Sequence, residues 1–292
     1  MSEFEFKSTY ELKKYMDGLS GYTIKNELGR GNHGAVFKAV NSSKKTVVIK
    51  QIWDSSKEFK NEVATLKKVL SECSEYATCI LDNIKLDSVN ILITDFIPGF
   101  NLDLQRQQFT LKEKNNLAKQ MLDHLLAGLK YIHKKGIVHQ DIAGKNIMFN
   151  KGFPKYVDFG LAYKVKSGCC NRYDSWPCGT RGTYKYTPYE MQTEWVCEYP
   201  PIFLKAHDYF SVGCVLLEWA GCTKREQFYS DDVDANPSLV KKQLARVKTI
   251  KPEILQLLHR DPLKRHLAPT TKHNIFENKF TNFLFSQLLC LA

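Results

Sequence analysis

The chain lacks the features that would set it apart from ordinary globular proteins. No stretch approaches the ~18 uninterrupted apolar residues of a membrane span. The amino terminus, MSEFEFKSTYELKKYM, has no basic segment followed by an apolar one, so no secretory leader is expected. Nine cysteines occur without a single C-x-x-C pair. That argues against a zinc ribbon or a disulfide framework and predicts free thiols in a reducing compartment. No internal repeat and no low-complexity run is present. With 43% hydrophobic and 25% charged residues, the composition excludes disorder and collagen-like repeats as readings of the whole chain. At ~150 residues per domain, 292 residues suggest two units or one large domain.

What is present is basic charge, unevenly placed. Lys and Arg outnumber Asp and Glu by 42 to 31, a net charge of +11. Residues 1–95 contribute only +1 of this, and the segment 151–185 alone carries seven basic side chains against Asp158 and Asp174, a net of +5. Such a surface suits an acidic or phosphorylated protein, nucleic acid or anionic lipid, or is simply solvated.

Strands come first and helices later. Tyr22–Leu28, Ala35–Val40, Thr46–Ile52 and Asn90–Phe96 read as short strands between Gly- and Asn-rich turns. Ser56–Leu70 has helical spacing, as does Leu111–Lys134 with its stripe through Leu117, Met121, Leu125, Leu129 and Ile132. Short strands near Ile137–Val138 and Ile147–Phe149 precede a long irregular stretch. Helices are then predicted near Tyr209–Ala220, Ser238–Val247 and Lys251–Leu258. The natural boundary falls near Pro98, between a small β-rich part and a larger helical part.

Three groups of residues carry chemistry. Leu28-Gly29-Arg30-Gly31-Asn32-His33-Gly34-Ala35-Val36 contains G-x-G-x-x-G, but AVFKAV alternates like a strand and opens no helix, which disfavours a dinucleotide fingerprint. Glycines in a hairpin let backbone amides approach phosphate oxygens without an intervening Cβ. Val47-Val48-Ile49-Lys50 ends an apolar strand on a lysine that can hold phosphate, and Glu62 on the following helix can orient it. His139-Gln140-Asp141 with Asn146, then Val157-Asp158-Phe159-Gly160, supplies a proton acceptor and two Mg²⁺ ligands in one order and spacing.

This motif set resembles the eukaryotic-type protein kinase catalytic domain, from about Tyr22 to Arg265 and on towards the end of the chain. The resemblance implies an α+β fold with a small β-rich lobe (22–97) and a larger helical lobe (98–292), preceded by an extension (1–21). It also implies ATP and Mg²⁺ as cofactors and protein substrates as partners. By resemblance, Gly29, Gly31 and Gly34 cover the ATP phosphates, and Lys50 holds the α- and β-phosphates while paired to Glu62. Asp141 accepts the substrate proton, assisted by Lys145 and Thr183, and Asn146 with Asp158 binds Mg²⁺. Thr94 takes the gatekeeper position and Asp95–Ile97 the adenine-bonding hinge, with Leu28, Val36, Val48 and Met148 completing the nucleotide set. Glu190 and Arg265 would pair in the interior, and His139 would be a core residue rather than a base. Asp208-Tyr209-Phe210-Ser211-Val212-Gly213 resembles the D-x-x-S-x-G that opens the family's central helix.

Several positions depart from the pattern. Gln140 replaces the arginine that usually meets a phosphorylated activation segment, so activity without such phosphorylation is expected. Ala143 stands where Ser/Thr kinases carry a lysine, and Lys145 stands where many tyrosine kinases carry a basic residue. Val48 replaces a small alanine above adenine, and Pro188-Tyr189-Glu190 replaces A-P-E. Thr183 in its G-T context favours Ser/Thr specificity, with tyrosine or dual specificity as the alternative and a nucleotide-binding pseudokinase as a further one. A nucleic-acid scaffold would interleave aromatics with the basic run; Phe153, Tyr156, Phe159, Tyr163, Tyr173, Trp176 and Tyr184 lie there, but the resemblance gives most of them family positions, so nucleic acid is not a required partner. Cys169, Cys170 and Cys178 are expected as free thiols, and the tail Phe280–Leu291 as a helix docked on the large lobe. Localisation is expected to be cytoplasmic or nuclear, including a host cytoplasm, with regulation intrinsic or supplied by partners.

Overall fold

The computed structural model describes residues 12–16, 21–31, 34–52, 63, 67, 73–85, 90–150, 153–165, 182–188, 191, 201–222, 244–245, 247–259 and 261–266. Outside them lie Glu62, Glu190, Cys169, Cys170, Cys178, the tail Phe280–Leu291 and most of the helices expected at Ser56–Leu70 and Ser238–Val247. Val63, Lys67 and Leu244 are helical. The chain divides into two compact units, Met1–Ile97 with Asp158–Ala162, and Pro98–Val157 with Tyr163–Ala292. The described residues form an α+β protein: a five-stranded antiparallel sheet in the first unit and mainly helices in the second.

The sheet has the order β1-β2-β3-β5-β4, with β1 Tyr22–Gly31, β2 Gly34–Asn41, β3 Thr46–Ile52, β4 Ile80–Lys85 and β5 Asn90–Asp95. Its period-2 alternation sends Ala35, Phe37, Ala39, Val47, Ile49, Ile91 and Ile93 to one face, where they pack with Ile24 and with Leu12 and Met16 of a helical segment over 12–16. The register pairs Val36 with Lys50, Lys50 with Leu92 and Val48 with Thr94. Directly opposed residues share a face. Val36, Val48, Lys50 and Thr94 therefore stand together on the face opposite the apolar core.

Two strands differ from the reading of the sequence. β1 runs on to Gly31, which pairs with Gly34, so only Asn32 and His33 separate the paired strands. β4, with its Asp82, Asn83 and Lys85, has too little β-branched character to be read as a strand; its edge pairing to β5 makes it one.

The expectation that every thiol is free fails at one pair. Cys73 and Cys79 form a disulfide with their Cα atoms 5.0 Å apart. A turn folds the connecting residues back, with Tyr76 and Ala77 N–H donating to Ser74 Oγ (3.2 and 3.1 Å). A single local bridge of this kind leaves no C-x-x-C signature to read.

In the second unit, α1 (Leu102–Gln105) starts from an Asn101 cap and α2 (Leu111–Lys134) from a capping box in which Thr110 and Glu113 satisfy each other's backbone N–H groups. Met121, Leu125, Leu129 and Ile132 of the expected stripe are buried, and Leu117 is half-buried. The strands β6 (Ile137–Val138), β7 (Ile147–Asn150), β8 (Phe153–Tyr156) and β9 (Tyr163–Lys164) form two small antiparallel pairs, β6 with β9 and β7 with β8. α3 is Pro201–Trp219 and begins eight residues before the expected Tyr209. Proline is tolerated in a first helical turn, where its missing N–H costs nothing, so Pro201 starts the helix rather than breaking it. Asp208 consequently lies inside α3 instead of opening it. α4, Lys251–Leu257, packs on α3, and α3 also packs on α2. No helix among the described residues is long and apolar enough to cross a membrane.

Candidate active site

The first unit brings together Lys50 and Asp158. Lys50 Nζ lies 2.8 Å from Asp158 Oδ1, with the two side chains 26% and 47% exposed. Asp158 has φ +61°, a left-handed conformation that a non-glycine residue adopts at some cost, and Gly160 N–H reaches Oδ1 at 3.4 Å. The next residue, Phe159, is fully buried. Thus one carboxylate is turned to solvent from a backbone anchored by its apolar neighbour. Glu62, the expected partner of Lys50, lies outside the described residues.

The three glycines of the hairpin divide into two kinds. A Cβ at Gly29 or Gly31 would meet only open space, as an approaching ligand requires. A Cβ at Gly34 would collide with the Gln51 carbonyl of β3. Gly34 therefore serves strand packing, a role that the motif alone does not reveal. Around them, Leu28 is exposed, Val36 and Val48 are half-buried, and Thr94 and Ile97 are buried. Asp95 is engaged internally: its Oδ1 accepts from Thr78 Oγ1 (2.6 Å) and from Cys79 N–H (2.8 Å).

The second unit holds the other cluster. Asp141 Oδ1 accepts from Thr183 N–H (2.6 Å) and Thr183 Oγ1 (2.7 Å). Asn146 Nδ2 donates to Asp141 Oδ2 (2.7 Å) and to its carbonyl (2.9 Å). Lys145 Nζ stands 3.9 Å from Oδ2 on a largely exposed side chain. Thr183 can come this close because Gly182, at φ +84°, has no Cβ to strike the Gln140 carbonyl. Met148, half-buried in β7, makes an isolated bridge with Asn101.

The backbone at His139 and Gln140 is held by Asp208, a residue the sequence flagged only as part of a motif. Its fully buried carboxylate accepts from His139 N–H (2.8 Å) and Gln140 N–H (2.9 Å), and His133 Nε2 lies 2.8 Å away. Burial pushes this carboxyl up, but the His133 hydrogen bond and the neighbouring histidines outweigh it and hold the group below its ordinary value. His139 itself is buried and uses both ring nitrogens: Nδ1 accepts from Asp141 N–H (3.3 Å), so Nε2 carries the proton donated to the Val157 carbonyl (3.1 Å). Tyr186, which the sequence did not single out, donates its hydroxyl to Glu218 Oε2 (2.7 Å) and receives Gly144 N–H at 3.5 Å.

Gln140 is 3% exposed with φ +63°, and its Oε1 has no hydrogen-bond partner among the described residues. Arg265 is buried, its Nε donates to the His259 carbonyl (2.6 Å) and its guanidinium lies 4.9 Å from the Phe210 ring centre; Glu190, its expected partner, is outside the described residues.

The donors suit a magnesium nucleotide. In the first unit Asp158 is a half-exposed carboxylate beside an ammonium; in the second, Asn146 commits its amide nitrogen to Asp141, leaving the amide oxygen as the atom that can meet a cation.

Residues 22–287 match the protein kinase domain, and the chain belongs to that family. It is 30% identical over 240 residues to cysteine-rich receptor-like protein kinase 29 of Arabidopsis thaliana, covering 75% of this chain and 33% of the relative. It is 28% identical over 214 residues to serine/threonine-protein kinase pakH of Dictyostelium discoideum (70% and 38%), and 28% identical over 265 residues to serine/threonine-protein kinase 36 of Pongo abelii (87% and 19%). The chain thus spans well under half the length of these relatives.

Proposed function

We propose that this domain is a catalytically competent kinase that uses ATP and Mg²⁺ to phosphorylate Ser and Thr hydroxyls of proteins. The observation that carries the reading is the two-sided anchoring of Asp141: Thr183 donates to one carboxylate oxygen and Asn146 to the other. A proton acceptor fixed in this way points at one position, as phosphoryl transfer requires. Bound Mg²⁺–ATP supplies the phosphoryl group and neutralises its charge. By the family pattern Asp158 and the Asn146 amide oxygen would hold the metal, and Lys50 Nζ would hold phosphate oxygens. Gly29 and Gly31 would leave room for the phosphates, and by the family pattern Val36, Val48, Thr94 and Met148 would serve the base. Asp141 orients the attacking hydroxyl and takes its proton at a carboxylate oxygen. In this reading 22–97 is the ATP-binding part, 98–292 the catalytic and peptide-binding part and 1–21 an extension, in a cytoplasmic or nuclear protein.

The modest identity to named serine/threonine kinases supports the choice of acceptor. One observation favours tyrosine or dual specificity: Lys145 stands near the Asp141 carboxylate, as the basic residue does in tyrosine kinases. Incubation with labelled ATP, Mg²⁺ and matched Ser, Thr and Tyr peptides decides between them. Label on Ser or Thr is the expected result. Label on Tyr alone establishes the second reading, and nucleotide binding without transfer makes the domain a binding module.

A further inference from the structure

The disulfide of the first unit joins two unlike environments. Cys73 is exposed, whereas Cys79 is 1% exposed. The main chain of Cys79 is tied to Asp95 from both sides: its N–H donates to Asp95 Oδ1 (2.8 Å) and its carbonyl accepts from Asp95 N–H (3.2 Å). Thr78 adds a third bond to the same Oδ1 at 2.6 Å. Asp95 closes β5 one residue after Thr94, on the strand whose end is assigned above to adenine. One end of the bridge is therefore open to a reagent, and the other is bonded to the rim of the nucleotide set. The further described cysteines, Cys214 and Cys222, are buried thiols of the second unit. Among the described residues the first unit has no other cysteine through which to respond.

We propose that Cys73–Cys79 is a thiol-responsive latch, a redox modification site at which a dithiol reductant loosens the Thr78–Cys79 hold on Asp95 and weakens nucleotide binding. A thiolate of the reductant attacks Sγ of the exposed Cys73, forming a mixed disulfide and expelling Cys79 as a thiolate. Burial disfavours that charge, so Cys79 takes up a proton and becomes a thiol. The second thiolate of the reductant then attacks its own sulfur in the mixed disulfide and releases Cys73. The protein gains two electrons and two protons, and the dithiol leaves as a cyclic disulfide. Without the bridge, the Thr78–Cys79 backbone is kept against Asp95 by non-covalent contacts alone, among them the turn at Ser74 and the edge strand β4. An exposed turn and an edge strand are the parts of a sheet that open most readily. The nucleotide part of this proposal rests on the kinase reading; the latch itself does not.

The test uses the full chain purified without reductant, equilibrated with oxidised glutathione, and then treated or not with dithiothreitol. Alkylation and mass spectrometry follow the bridge, amide exchange follows Cys79 and Asp95, and a fluorescent ATP analogue reports binding. The expected result is a Cys73–Cys79 link before treatment, with exchange at both amides faster by about tenfold after it and analogue affinity weaker by about threefold or more. The Cys73→Ser variant should match the reduced protein with or without dithiothreitol, because its altered side chain is exposed; should it fail to fold, the comparison of oxidised and reduced native chain stands alone. Two thiols alkylated before treatment, or unchanged exchange at both amides, overturns the latch. Faster exchange with unchanged affinity overturns its connection to nucleotide. An analogue that binds in neither state refutes the kinase reading and leaves exchange as the measure of the latch.

Discussion

Asp158 and Asp141 are both acidic residues of one motif set, yet the two units treat them in opposite ways. Asp158 is nearly half exposed on a strained backbone beside Lys50. The Asp141 side chain is 12% exposed and receives donors on both oxygens from Thr183 and Asn146, while the backbone around it hangs on buried Asp208. In the proposed reading Asp158 would meet a cation and a phosphate, and its exposure suits that role, because a fully enclosed carboxylate could not reach the ligand. In the same reading Asp141 would point at one hydroxyl, and its fixed carboxylate suits that role, because orientation is what it would contribute.

The strongest way to break the comparison is to change the open pair. Asp158→Ala and Lys50→Met should each lower kcat by on the order of 10²-fold or more, because electrostatic stabilisation supplies most of the rate. Melting of Lys50→Met should stay within about 0.5 kcal/mol of the native chain, as for other partly exposed positions, and Asp158→Ala should cost about 1 kcal/mol, because alanine tolerates the positive φ less well than aspartate. A large loss of stability would show that the pair is structural.

The held side should behave in the reverse manner. Asp208→Ala leaves the buried N–H groups of His139 and Gln140 without their acceptor and should cost about 3 kcal/mol or more in a denaturant titration. The sign of its pH dependence follows from its lowered pKa. The stabilisation is complete above the unfolded value of 3.8 and is lost as pH falls through the lower folded value. Acid unfolding curves of the native chain and the variant should therefore converge below that pH.

Thr183→Ala sharpens the comparison further, since it removes the hydroxyl bond to Asp141 and keeps the backbone one. It should reduce kcat about tenfold with little change in nucleotide affinity, and Thr183→Ser should restore it. Nearer the sheet, Thr94→Met fills the space beside Val48 and should weaken inhibitors that place an aromatic group there by about tenfold. The smallest effect concerns the basic segment 151–185. Peptides with acidic flanks should show a kcat/KM advantage of a few-fold at low salt that disappears at high salt.

Much of this was readable from the residues. β-branched alternation located β2, β3 and β5, and helical spacing located α2 to the residue. Gly29, Lys50, Asp141, Asn146 and Asp158 stood out by type and order. Other elements left no local mark. β4 is polar and exists through its neighbour, and the Pro201 start of α3 looks like a break until the helix is seen to extend from it. Gly34 reads as one more phosphate-loop glycine, although its need for a bare Cα comes from Gln51 on another strand.

The sequence by itself determined the chemical inventory and the family, because catalysis of this kind demands particular functional groups at particular separations along the chain. Only the tertiary structure decided how those groups are held. The carboxylate of Asp208 meets backbone N–H groups nearly seventy positions away in the chain, the Tyr186 hydroxyl finds Glu218, and Cys79 is bonded to Asp95. Hydrogen bonds between distant segments form only when packing brings a donor and an acceptor within about 3 Å. No local pattern of residue types encodes that distance.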